Sequence, residues 1–123
     1  MRKLLLSFDP YGPVQELFGR YRLIPTAQGL GSTPDEPHLH RIGHHGQPLV
    51  AVDNTAYVMW SFSFLHPSLW AACDYLAQAD EQDREPGEQP LGMTAASVAR
   101  EVALHLPVMV ATGVAFLDPV VTL

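Results

Sequence analysis

LVAVDNTAYVMWSFSFL, residues Leu49–Leu65, is the stretch whose reading decides the fold. From Tyr57 it alternates, with Val58, Trp60, Phe62 and Phe64 on one side and Tyr57, Met59, Ser61 and Ser63 on the other. A period of two in aromatic and β-branched residues is the pattern of a half-buried strand. The apolar run Leu49–Val52 precedes it, and Asp53-Asn54-Thr55 supplies turn chemistry between the two. A hairpin folded about Asn54-Thr55 sets Leu49 against Trp60 and Val52 against Tyr57, so the apolar positions coincide in register. The expectation is a central hairpin in a sheet of about four strands. Tyr57, Met59 and Leu65 would then form a partly exposed patch suited to a partner or a second copy.

Beyond this stretch the period changes. After Pro67, SLWAACDYLAQA places Leu69, Cys73, Leu76 and Ala79 on one helical stripe. Thr94 is a good N-cap for a second helix, whose core face is Ala95, Ala99, Val102 and Leu106. Glu101 and His105 lie on its flank as an i,i+4 pair. Pro107 is expected to end that helix, and Val108–Leu117 reads as a buried strand before a short tail. On the N-terminal side, Val14, Leu17, Phe18 and Tyr21 fall at i, i+3, i+4, i+7, which predicts an amphipathic helix opened by Pro13. Lys3–Phe8 reads as a short strand broken by Asp9-Pro10. Between residues 25 and 48 no period emerges. Gly29, Gly31, Gly43, Gly46, Pro34 and Pro37 interrupt it, and the expectation is a long loop. The predicted fold is α+β, one domain over residues 1–123, with two or three helices packed on one face of the sheet.

Composition bounds the function. At 123 residues, 47% hydrophobic and 16% charged, the chain can bury a full core without staples. Its net charge is −6, with only seven Lys and Arg and no basic stripe, so direct nucleic-acid binding by counterion release is disfavoured. One cysteine, Cys73, excludes an internal disulfide and a thiolate zinc cluster. The opening MRKLLLSF is cut off by Asp9-Pro10 before a signal-peptide core can form, and Val108–Leu117 is too short to span a bilayer. A soluble, cytoplasmic protein without membrane attachment is expected.

Two features carry candidate chemistry. His38, His40, His44 and His45 lie within eight residues. Neutral imidazoles are common ligands of zinc, nickel and iron, and His38 and His40 point the same way in an extended segment. Asp35, Glu36, Asp53 and His66 could add a further ligand. The spacing completes no familiar motif: a histidine triad needs His where Ile42 stands, and an HxHxDH hydrolase needs Asp where Gly43 stands. The plainer reading is a polar, glycine-rich surface segment. The second feature is the acidic run Asp80, Glu81, Asp83, Glu85 and Glu88, offset by Arg84 alone. It reads either as a solvated helix end or as a surface that meets a basic patch on a protein partner. No complete catalytic motif is present. The first expectation is therefore a small acidic partner-binding protein of the inhibitor or immunity type, phage- or mobile-element-like, acting on a protein or nucleoprotein target. A homodimer is compatible with it. The alternative is a metal-dependent hydrolase that holds a divalent metal such as zinc at His38, His40, His44 and His45.

Overall fold

The computed structural model of the chain describes residues 14–82 and 92–120. In order these form α1 (Gln15–Arg20), β1 (Tyr21–Pro25), β2 (Gln28–Thr33), β3 (Glu36–His44), β4 (Gln47–Val52), α2 (Asn54–Phe62), a 3-10 turn (Ser63–Leu65), α3 (Leu69–Gln82), α4 (Ala95–Ala111) and β5 (Ala115–Pro119). The class is α+β, as expected. The strands make two sheets rather than one of four strands: an antiparallel β2-β3-β4 sheet and a two-stranded β1-β5 ribbon. The strand expected at Lys3–Phe8 lies outside the described residues.

The central hairpin is overturned. Leu49–Val52 belongs to a strand, but Asn54–Phe62 is a helix. The reason is local. The Asp53 side chain accepts the Ala56 amide at 2.8 Å, and the Tyr57 amide donates to the Asp53 carbonyl at 2.9 Å, so Asp53 caps a helix instead of opening a turn. The run also satisfies the helical period: Ala56, Met59, Trp60 and Ser63 are buried at i, i+3, i+4, i+7. Met59, expected in an exposed patch, is fully buried, whereas Leu65 stays 71% exposed.

The long loop is also corrected. Residues 25–48 hold the end of β1, all of β2 and β3, and the start of β4. Pro34-Asp35 links Thr33 to Glu36, and His45-Gly46 links His44 to Gln47. Both residues of the second link have positive φ, at 51° and 78°, which is the two-residue turn that matches strand twist. Gly43 beside it permits close approach, since a Cβ there would lie 1.8 Å from the Gln47 carbonyl oxygen. Both outer strands of this sheet are irregular. β2 is bulged near Gly31, with Arg41 donating to the Leu30 and Gly31 carbonyls, and the β3–β4 register slips between Ile42 and Gly43. Such features blunt a free sheet edge against accidental pairing.

α4 opens with a capping box between Thr94 and Ser97 and runs through Pro107 to Ala111, so the expected stop at Pro107 and strand from Val108 are not formed. It ends instead at Gly113, φ 76°, where the Gly113 and Val114 amides donate to the Val110 and Met109 carbonyls. The strand is confined to Ala115–Pro119. α3 is capped by Ser68, which accepts the Ala71 amide at 3.1 Å. The core collects Phe18, Leu23, Ile42, Val52, Met59, Trp60, Leu69, Cys73, Val98, Val102, Leu106, Met109 and Ala115 from every helix and from all the strands except β2. Val114, just after α4, closes it: its carbonyl accepts both the Trp60 indole N–H and the Thr26 amide, each at 2.9 Å.

Two substitutions with opposite signs test this core. Trp60→Phe removes one of the two bonds to Val114 and leaves a small void, and is expected to lower stability by about 1–2 kcal/mol in urea denaturation. Ser63 is fully buried and its hydroxyl oxygen has no hydrogen-bond partner. Ser63→Ala should therefore hold or raise stability, by up to about 1 kcal/mol, in the same assay.

Candidate functional site

The histidines of the 38–45 group separate into two pairs along β3. His38 and His40 lie in its first half. With Pro37, Asp53, Asn54 and Thr55 they line an open groove of about 600 Å³. His44 and His45 lie at the far hairpin, their ring centroids 6.5 Å apart, against the β1–β2 connection at Pro25–Gln28. The expected convergence of four imidazoles does not form. Among the described residues no group of three or more His, Cys, Asp or Glu side chains is placed to hold a metal ion. His38 and His40 stand apart from His44 and His45 because the extended backbone of β3 spaces them along the strand.

The groove is nonetheless well organised. His40 is stacked on Tyr57 at 4.6 Å between centroids, and Tyr57 on Trp60 at 5.7 Å, so a ladder of three rings runs from the sheet into the core. Gly29 makes room for it: a Cβ there would lie 2.1 Å from the Tyr57 hydroxyl oxygen. Asp53 is the hub of the polar side. Besides capping α2 it lies 3.3 Å from Nε2 of His105, and the Glu101 carboxyl of α4 faces it. Burial pushes the Asp53 carboxyl up, but the Ala56 amide, Glu101 and His105 together outweigh this and hold it below the ordinary value. Glu101 moves the other way. The neighbouring Asp53 carboxylate pushes it up most, by hydrogen bonding, and partial burial and the Asp53 charge add to this against the pull of His105 and Arg100. The sequence paired Glu101 with His105 within one helix; it carried no sign that both meet the cap of another.

Cys73 is buried in α3, and burial raises its thiol to about 12, so it is an inert packing group. Of the acidic run, Asp80 accepts the Met93 amide at 3.3 Å and so braces the start of α4 against the end of α3. Glu81 falls in the last turn of α3, and Asp83, Glu85 and Glu88 lie outside the described residues.

A second surface has no precedent in the sequence reading. The outward face of α4 beyond Arg100 carries Leu104, Pro107, Val108 and Ala111, with Val110 beside it, and all are exposed. Leu104, Val108 and Val110 each keep 40–41% of their surface in solvent. The apolar run Val108–Leu117 that suggested a buried strand is thus partly buried, through Met109, Val114 and Ala115, and partly presented.

No protein-family model, curated protein or solved structure matches the chain. Among the described residues no helix is long and apolar enough to cross a membrane.

The Asp53–Glu101 arrangement sets a sign for pH. A carboxyl whose pKa is raised by folding contributes stability below its unfolded value, near 4.5, and loses it as pH rises through the folded value. Wild type should therefore lose stability relative to Glu101→Gln as pH is raised from 4 to 7, because the amide keeps the donor to Asp53 and adds no charge. Equal urea midpoints for the two proteins across that range would contradict this placement. Asp53 acts oppositely: its lowered pKa supports the fold above about 3.8, and that support is lost as pH falls further.

Proposed function

We propose that this chain is a small acidic partner-binding protein whose target is a protein or a nucleoprotein, in the manner of an inhibitor or immunity protein of the cytoplasm. The observation that carries the reading is the outward face of α4. A helix of an ordinary monomer turns charged and polar residues to water, whereas the last two turns here turn out Leu104, Pro107, Val108 and Ala111. The same helix buries Val98, Val102, Leu106 and Met109, so its position does not depend on the outward residues.

Charge supports the reading. The net charge of −6, with Asp80, Glu81, Asp83, Glu85 and Glu88 in one run, favours a partner with a basic rim around an apolar centre. The rim would govern association rate and salt dependence, and the apolar face residence time. The buried thiol of Cys73 and the absence of a three-ligand metal group among the described residues leave the hydrolase reading without a comparable argument.

The test compares capture of proteins from an extract of the source cell by wild type, by Leu104→Gln/Val108→Gln, and by a charge reversal at Glu81, Asp83 and Glu85. The α4 variant should keep its thermal midpoint within about 3 °C, since both side chains lie at the exposed surface, and lose the captured partner. The charge-reversed variant should lose the partner first as salt is raised. Identical capture by all three proteins would end this assignment.

A further inference from the structure

A second groove, of about 490 Å³, lies where β1 and β5 meet the turn after α2. Its polar ends are Arg22 and Asp118, which are direct cross-strand partners in the ribbon. Its walls include Phe64, Leu65, Pro67 and Pro119. NH2 of Arg22 donates to the Phe64 carbonyl at 2.8 Å, which fixes the guanidinium against the turn. NH1 of Arg22 and Oδ2 of Asp118 form a cross-strand ion pair at 3.6 Å, longer than a hydrogen bond, and both side chains are more than a third exposed. A solvent-accessible guanidinium and its paired carboxylate thus sit side by side over an apolar wall.

We infer that this groove binds a free apolar α-amino acid through its two charges. A guanidinium offers two parallel N–H groups to a carboxylate, and a carboxylate accepts from an ammonium. Only a ligand with both charges on neighbouring atoms meets both. A simple anion would be repelled by Asp118 and by the net charge of −6, and a simple cation would be repelled by Arg22. Bound in this way the ligand closes a head-to-tail array of four alternating charges, in which Arg22 and Asp118 need not part. Its side chain then lies against Phe64, Leu65 and Pro67, and burial of Leu65, 71% exposed in the free protein, adds the apolar part of the affinity. His66 stands at the rim, its ring packed against Phe62 and Tyr75. This site is separate from the face of α4 and does not rest on the partner-binding reading.

The probes are L-leucine and L-phenylalanine, titrated into isotope-labelled full-length protein and followed by amide chemical shifts. Saturable shifts at Arg22, Leu65 and Asp118 are expected at millimolar ligand. N-acetyl-L-leucine lacks the ammonium and L-leucinamide lacks the carboxylate, and each should bind about ten- to a hundredfold more weakly. Asp118→Asn keeps the bond between Arg22 and Phe64 intact and should weaken L-leucine by a similar factor without changing the thermal midpoint. Arg22→Gln should do the same, its fold checked by spectral dispersion. No shifts at about 20 mM amino acid, or equal binding of the blocked analogues, or undiminished binding by Asp118→Asn, would overturn the assignment.

Discussion

The carbonyl of Val114 ties separate parts of this fold together. It accepts the Trp60 indole from α2 and the Thr26 amide from the end of β1, while the Thr26 hydroxyl donates to the neighbouring Gly113 carbonyl at 2.7 Å. Three elements far apart in the chain therefore meet on one turn. That turn exists because Gly113 takes a left-handed conformation that closes the end of α4. Without it the helix would have no defined exit, β5 could not reach β1, and the Trp60 N–H would be left buried without an acceptor.

From Trp60 the organisation spreads outward through stacked rings. Tyr57 lies between Trp60 and His40, so the three-stranded sheet is attached to the helical body by an aromatic ladder above Gly29 as well as by Ile42 and Val52 in the core. The polar counterpart is Asp53. One carboxylate caps α2, meets His105 and lies beside Glu101, and so joins the β4–α2 junction to α4. Asp53 and Glu101 are pushed in opposite directions: the Ala56 amide, Glu101 and His105 hold Asp53 down against its burial, whereas the neighbouring Asp53 carboxylate pushes Glu101 up.

The same helix that carries Glu101 and His105 also bears the apolar face proposed for partner binding. The two roles adjoin along the helix: Glu101 and His105 meet Asp53, while the neighbouring Leu104 and Val108 keep about 40% of their surface in solvent. Residues that buttress the fold point inward, where removal costs packing; those turned outward cost little to the folded monomer and are free to be selected for contact. An acidic chain with such a face has the means to approach a basic partner quickly and to hold it by desolvation.

Much of this was written in local chemistry. The α+β class, the helix at Leu69, the Thr94 cap, and the core positions Ala99, Val102 and Leu106 follow from period and capping, which depend only on near neighbours. One turn and one cap are also legible in local chemistry: His45-Gly46 has the form of a two-residue hairpin turn, and Asp53 stands where a helix cap belongs. What the sequence could not determine is which of two compatible periods Asn54–Phe62 would adopt. Trp60 serves either; the Asp53 cap favours the helix locally, and the Trp60 bond to Val114, fifty-four residues away, ties that helix into the fold. The meeting of Asp53 with Glu101 and His105, the parting of the four histidines, and the exposure of Leu104 and Val108 are likewise tertiary facts. Each depends on how elements pack across long sequence separations, and no spacing within one element encodes that.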